Sequence, residues 1–133
     1  VAFDQGKAAQ ELPSKRFPLI LNTGRILYHW HGGTITRRVA ELMARIPELP
    51  VAINPEDGQK YSLDDGQLVR VTSRRGRLTG KALFTDRMRP GEIFIPFVKL
   101  EESAANFLTN SVYDPKSKIP EYKVCAVRLE AVE

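Results

Sequence analysis

Short apolar segments separated by turn-forming residues recur along this chain of 133 residues, and they restrict its fold more than any other feature. Five or six of these segments are long enough to be β-strands, and Gly, Pro and Asp residues stand between them. The candidate strands are residues 17–21, 51–53, 68–72, 78–84, 93–95 and 122–129. The first is apolar throughout, which predicts a strand buried on both faces. We therefore expect a small, mainly β domain with short helices and a barrel-like architecture.

Three short helices are expected between these strands. Apolar residues at helical spacing, followed by Pro47, predict the first helix, and Thr36 is its expected N-cap. The apolar positions are Val39, Leu42, Met43 and Ile46. The sequence Asn54-Pro55-Glu56-Asp57 begins the second helix, which must be short because Gly58 follows at once. An acidic start predicts a third helix over residues 101–108.

Composition limits the classes of function. Charged residues make up 27% and hydrophobic residues 42%, which is typical of a globular domain. The net charge of +4 suits an anionic ligand, but basic and acidic residues alternate, so a nucleic acid is not the expected partner. Cys125 is the only cysteine, which excludes an internal disulfide and indicates a buried, inert thiol.

The sequence also predicts how the chain begins and where the protein is located. Residues 1–16 have no sustained period and are interpreted as a linker that leads into the domain. Because the chain starts with Val1 rather than methionine, we expect it to be a fragment of a longer polypeptide. It contains no signal peptide and no segment of transmembrane length, so we expect no membrane insertion and a cytoplasmic location.

A polar segment between the first strand and the first helix is the best candidate binding site. It consists of Asn22-Thr23-Gly24-Arg25 and, after three residues, His29-Trp30-His31-Gly32-Gly33-Thr34-Ile35-Thr36-Arg37-Arg38. Its hydroxyl, imidazole and guanidinium groups suit a large anionic ligand, and it holds no activated nucleophile. Arg37 and Arg38 in a first helical turn would each cost about 0.3–1 kcal/mol. Either an anion binds at that helix end or both arginines are solvated, and the sequence leaves both open.

Catalytic and metal-binding patterns are weak. His29 and His31 alone do not make a zinc site; they could form a polar wall or pack in the core. No serine stands in a nucleophile elbow, and neither glycine-rich phosphate motif is present. Asn106 lies among apolar residues, as an amide that binds a heterocycle edge would, or it is a surface helix position. Tyr122 and Lys123 could contact a ring and a phosphate, or form a plain strand edge.

Five segments in order resemble the molybdopterin-dinucleotide-binding domain at the C-terminal end of molybdenum and tungsten oxidoreductases, most of all the formate dehydrogenase catalytic (alpha) subunit. They are residues 21–25, 29–38, 53–57, 105–109 and 120–127. The resemblance makes residues 17–133 the cofactor-binding domain. It implies a six-stranded double-psi β-barrel and, as the cofactor, molybdopterin guanine dinucleotide, usually two for each metal.

The resemblance also assigns roles to residues. The expected cofactor-binding residues are Thr23, Gly24, Arg25, His29, His31, Thr34, Arg37, Asn106, Tyr122 and Lys123. The first three would form a cofactor loop, the histidines and Thr34 would bind pterin or phosphates, and Arg37 would add positive charge. Asn106 would bind a pterin edge, and Tyr122 and Lys123 would close the pocket. The metal ligand, catalytic residues and Fe–S clusters would lie in other domains, so this chain alone would not oxidise formate to carbon dioxide. Electron-transfer subunits would be further partners.

The sequence is also compatible with two alternatives. The same domain could come from a nitrate reductase, or could be a separate small subunit of the formylmethanofuran dehydrogenase type. A basic β-barrel that binds nucleic acid or protein is the alternative of another class, and it predicts aromatic residues interleaved with Lys and Arg on strands. Only Tyr28, Trp30 and Tyr122 fit that pattern, and they lie in the proposed cofactor loops.

Overall fold

The computed structural model describes residues 9–29, 31–99, 104–113, 118, 121 and 124–132. Within these ranges six strands form a closed barrel: β1 (Leu19–Gly24), β2 (Pro50–Ile53), β3 (Leu68–Thr72), β4 (Arg77–Phe84), β5 (Glu92–Pro96) and β6 (Val124–Ala131). The helices are α1 (Ala40–Arg45), α2 (Pro55–Lys60) and two 3₁₀ turns, Thr36–Arg38 and Ala105–Phe107. The prediction of a mainly β, six-stranded barrel with short helices is confirmed.

The strand order around the barrel is β1-β5-β2-β4-β3-β6, closing on β1. The pairs β1–β5 and β2–β4 are parallel, and the other four pairs are antiparallel. This set of pairings is unchanged when each strand is exchanged with the one three places along the chain. The first three strands and the last three therefore form two interlocked halves, as the double-psi barrel requires. Closure leaves no strand edge of the barrel unpaired.

Burial alternates along β1 to β4, so that one face of each points into the barrel, whereas in β6 three consecutive residues, Cys125, Ala126 and Val127, are buried. In β1, Leu19 and Leu21 are buried, whereas Ile20 is only half-buried. The prediction that residues 17–21 form a strand buried on both faces is therefore wrong. The strand begins at Leu19, and a barrel strand has only one interior face.

The first helix differs from the prediction. Val39 has extended backbone angles, so the 3₁₀ turn Thr36–Arg38 and α1 are separate elements. Thr36 is not the N-cap of α1: it begins the 3₁₀ turn, Val39 stands at the N-cap position, and the Thr36 hydroxyl bonds with His29 Nδ1 at 2.9 Å. Arg37 therefore precedes α1 rather than lying in its first turn, which removes the basis for an anion site at that helix end.

The second helix begins as predicted and ends later. Asn54 Oδ1 accepts a hydrogen bond from the N–H of Glu56 at 2.8 Å, and Pro55 is the first helical residue. Gly58 lies inside the helix and is buried, because the ring of Phe84 occupies the space that a side chain would need.

The prediction of a third helix is wrong for the described residues 104–108. Ala104 is extended, and only the 3₁₀ turn Ala105–Phe107 follows it; residues 101–103 lie outside the described residues. The last strand begins at Val124, and residues 122 and 123 also lie outside the described residues. No helix in the described ranges is long and apolar enough to cross a membrane.

Candidate functional site

The carboxyl ends of β1 and β5 lie side by side because these two strands are parallel. Thr23 stands opposite Ile95 in the register, and Gly24 stands opposite Pro96. The N–H of Phe97 donates to the carbonyl of Gly24 at 2.9 Å, which extends the pairing beyond β5. The residues that follow the two strands therefore meet at one end of the barrel.

A cleft of about 680 Å³ opens at this end of the barrel, and we call it the polar cleft. It is lined by Thr23, Gly24, Arg25, His31, Gly32, Phe97 and Asn106. These residues come from the end of β1, the loop after β1, the end of β5 and the 3₁₀ turn Ala105–Phe107. They supply a guanidinium, an imidazole, a hydroxyl, an amide and an aromatic ring, and none of them carries a carboxylate. A cleft of this volume is large enough for a cofactor-sized ligand.

Gly24 contributes backbone to the lining of the polar cleft, and Arg25 contributes a positive charge. A Cβ atom on Gly24 would lie 2.9 Å from Cε2 of Phe94, so a side chain here would displace that ring. Arg25 is exposed, and in the part of the chain that the structure describes no carboxylate pairs with its guanidinium. An unpaired cation in a cleft without acidic side chains attracts anions.

The loop that carries His31 is held by backbone contacts. His31 has φ of 50°, which is uncommon for a residue with a side chain, and Gly33 has φ of 80°. The N–H of Lys99 donates to the carbonyl of Gly32 at 3.3 Å. The N–H and the Nε of Arg37 both donate to the carbonyl of Gly33, at 2.9 and 3.2 Å. Arg37 therefore secures the loop and does not line the polar cleft.

His29 precedes this loop in the chain and is buried, with only 2% of its surface exposed. Its Nδ1 bonds with Thr36, and within the described ranges its Nε2 has no hydrogen-bond partner. Burial, together with the positive charge of Arg37, lowers the pKa of His29, so the imidazole is neutral at neutral pH. His29 lines a second, more apolar cavity of about 470 Å³, and Arg25 and His31 border both this cavity and the polar cleft.

The predicted site residues separate into groups. Thr23, Gly24, Arg25, His31 and Asn106 line the polar cleft together. His29 and Arg37 support the loop, and Thr34 is exposed and lines neither cavity. Tyr122 and Lys123 lie outside the described residues.

The sequence pattern did not point to Phe97, which reaches the polar cleft only through the parallel register of β1 and β5. Gly32 also lines the cleft, and its signal was its place in the motif between His31 and Gly33. Among the described residues, no group of three or more His, Cys, Asp or Glu side chains could hold a metal ion.

Comparison with known families assigns the chain. The sequence model described as "Molydopterin dinucleotide binding domain" matches residues 19–126. The chain belongs to this family. Membership confirms the resemblance derived from the five sequence segments. The family defines a molybdopterin-type cofactor as the ligand class of the domain.

Individual relatives agree with the family. This molybdopterin dinucleotide binding domain is 47% identical over 122 residues to the F420-dependent formate dehydrogenase subunit alpha of Methanocaldococcus jannaschii, covering 92% of this chain and 18% of that protein. It is 42% identical over 123 residues to a nitrate reductase of Symbiobacterium thermophilum, covering 90% of this chain and 16% of that protein. The domain thus spans less than a fifth of the length of these relatives.

A solved structure confirms the fold of the molybdopterin dinucleotide binding domain. Acetylene hydratase from Pelobacter acetylenicus superposes with a TM-score of 0.76 at 16% sequence identity. The match covers 95% of this chain and 21% of that chain. Similarity at this level of identity concerns the fold alone.

Proposed function

We propose that this chain binds molybdopterin guanine dinucleotide within a formate dehydrogenase-like oxidoreductase of molybdenum or tungsten, with residues 17–133 as the binding unit and residues 1–16 leading into it. The observation that carries the proposal is the polar cleft, where Arg25, Thr23, His31 and Asn106 line one space; among the described residues no carboxylate lines it and none pairs with Arg25. This donor set fits a ligand that joins a diphosphate to a heterocycle, because it combines a cation with hydrogen-bonding groups and an aromatic ring.

Each side chain of the polar cleft has a proposed task. Arg25 binds phosphate oxygens with a guanidinium that is always charged. Gly24 lets the ligand approach the backbone, and the Thr23 hydroxyl and the His31 imidazole hydrogen-bond the ligand. Asn106 binds a heterocycle edge, since its amide is both donor and acceptor.

The proposal extends to His29, Thr34, Arg37, Tyr122 and Lys123 as further contacts of the assembled site. His29 would keep its ring neutral and donate or accept through Nε2, the atom that has no partner within the described residues. When bound, the cofactor supplies redox chemistry at a metal whose remaining ligands belong to other domains. This chain binds and orients it.

The whole enzyme would oxidise formate to carbon dioxide. The 47% identity to a formate dehydrogenase alpha subunit supports this reaction. Since that relative is much longer than this chain, the partners would be the remaining domains, with the metal ligand and Fe–S clusters, and electron-transfer subunits. We propose a cytoplasmic location for it.

Nitrate reduction is a second candidate, favoured by the 42% identity to a nitrate reductase. The complete enzyme distinguishes the two reactions. Reduction of an artificial electron carrier with formate supports the first reaction, and oxidation of the reduced carrier with nitrate supports the second.

A titration of the chain with guanosine diphosphate, followed by amide chemical shifts, tests cofactor binding. We expect shifts confined to residues 23–32 and to Asn106.

Arg25→Ala removes a charge-assisted contact and should raise the dissociation constant by roughly tenfold or more. Arg87→Ala is the matched control, because Arg87 follows β4 and lies at the opposite end of the barrel. Shifts centred on the 74–76 turn would instead favour a basic binding module, and no shifts at millimolar ligand would contradict a site formed by this chain alone.

A further inference from the structure

We propose that an ion pair outside the polar cleft, between Glu11 and Arg75, positions Asn106 inside it. The segment that precedes β1 would then control how well the cleft binds its ligand. This inference rests on the proposed function for its effect on ligand binding, whereas the positioning of Asn106 can be measured without a ligand.

The turn between β3 and β4 presents Arg75 in a fixed direction. The N–H of Ser73 donates to the carbonyl of Gly76 at 2.9 Å. The hydroxyl of Ser73 accepts from the N–H of Arg75 at 3.1 Å and from the N–H of Gly76 at 3.4 Å. Ser73 is only 5% exposed, so these bonds are shielded from water. The backbone that carries the Arg75 side chain is therefore held at both of its ends.

Arg75 and its neighbour contact the backbone that follows Asn106. The Nε of Arg75 donates to the carbonyl of Leu108 at 2.9 Å. A Cβ atom on Gly76 would lie 2.7 Å from the carbonyl oxygen of Phe107, which shows how closely the turn packs against this segment. A 3₁₀ turn of three residues has little stability of its own, so its position depends on such contacts.

Glu11 orients the guanidinium from the other side. Its carboxylate accepts from Nη1 and Nη2 of Arg75 at 2.7 and 3.0 Å, and from the N–H of Ala126 at 2.9 Å. Arg74 also pairs with it, at 3.1 Å. The Glu11 side chain is 12% exposed. Burial alone would raise the pKa of Glu11, but the bonds and charges of these partners together lower it, so that the carboxylate stays ionised.

These hydrogen bonds restrict the Arg75 guanidinium to one orientation. A bidentate ion pair fixes its plane, and the Nε bond then fixes the Leu108 carbonyl, two residues from Asn106. The Leu108 side chain is fully buried and holds the same residue from the barrel side. Glu11 and Arg75 are thus positioning residues that act on the cleft through Asn106.

The variant Arg75→Lys tests this inference, with Arg74→Lys as the matched control. Both substitutions weaken a contact with Glu11, but only Arg75 bonds to Leu108. We expect Arg75→Lys to move the side-chain amide resonances of Asn106 in the ligand-free chain. We also expect it to raise the dissociation constant of guanosine diphosphate by roughly five- to tenfold. Arg74→Lys should leave both measurements close to those of the parent chain.

Two further variants separate positioning from general destabilisation. In an Asn106→Ala background, Arg75→Lys should change the dissociation constant no further, because it acts through the missing amide. Glu11→Gln keeps an acceptor but removes the charge, and it should shift the Asn106 resonances in the same direction as Arg75→Lys. Unchanged Asn106 resonances in Arg75→Lys, or additive effects on affinity, would overturn the inference. If the parent chain does not bind the probe, the proposed function fails for the isolated chain, and the Asn106 resonances still decide the positioning.

Discussion

Replacement of Gly58 by alanine offers a prediction in which two known effects have opposite signs. Alanine in a helix is favoured over glycine by up to about 1 kcal/mol. Gly58 is nevertheless buried inside α2, and a Cβ atom there would lie under 3.0 Å from three carbons of the Phe84 ring, Cζ, Cε2 and Cε1. Packing therefore opposes helix propensity at this position.

The magnitudes decide the sign of this substitution. Phe84 is partly buried and packs against the barrel core, so moving its ring away from position 58 loses contacts with that core. Overpacking of this kind costs about 1–3 kcal/mol. With the full helix-propensity gain subtracted, we expect Gly58→Ala to lower the free energy of unfolding by up to about 2 kcal/mol. The midpoint of thermal unfolding should fall by up to roughly 8 °C for a domain of this size.

A double-mutant cycle with Phe84→Leu, measured by urea denaturation and circular dichroism, tests the reasoning. Leucine lacks the outer ring carbons, so Gly58→Ala in the Phe84→Leu background should be neutral or stabilising by up to about 1 kcal/mol. The sign of the alanine effect should thus reverse between the two backgrounds. If Gly58→Ala stabilises the parent chain, the packing argument is wrong.

Three other predictions concern stability and reactivity. Asn54→Ala should cost about 1–3 kcal/mol in urea denaturation, because the side chain caps α2 and its Nδ2 also donates to the carbonyl of Met88 at 2.7 Å. The free energy of unfolding should fall as the pH drops below 6.5, since burial and Arg37 lower the pKa of native His29 and the unfolded chain then binds the proton more tightly. His29→Gln should remove this part of the pH dependence. Burial raises the pKa of Cys125 to about 11, so thiol reagents at pH 8 should label the native chain only as fast as it unfolds.

Each of these predictions has a clear counter-result. Asn54→Asp keeps the cap acceptor and loses the donor to Met88, so equal losses for Asn54→Asp and Asn54→Ala would assign the whole effect to that donor. A pH profile that is the same with and without His29 would show that its pKa is the same in the folded and unfolded chains. Labelling of native Cys125 at the rate of urea-unfolded protein would show that the thiol is accessible.

Much of the secondary structure could be predicted because its signals are local. Asn54 and Pro55 begin α2 through contacts within three residues, and the strands from β2 to β5 follow apolar segments bounded by turn residues. The prediction of one helix with Thr36 as its N-cap was wrong. Val39 has extended backbone angles and divides the segment, and the Thr36 hydroxyl bonds with His29, seven residues away.

The candidate site was likewise predicted only in part. Local chemistry predicted an anion-binding segment that contains Thr23, Gly24, Arg25 and His31, and the family resemblance assigned these residues and Asn106 to the cofactor; all five line one cleft. Spacing could not show that the two histidines separate, because the turn between the strand and the 3₁₀ helix brings His31 to the cleft and buries His29.

The sequence by itself determined the components: five or six short strands, a capped helix and a segment of polar groups suited to a large anionic ligand. The tertiary structure alone determined which of these groups meet. Phe97 lines the same cleft as Arg25 because β1 and β5 are parallel, and the ring of Phe84 at the end of β4 occupies the space that a side chain at position 58 would need. Helix and turn signals act over a few residues, whereas barrel closure joins strands that are far apart in the chain, and no local pattern encodes that pairing.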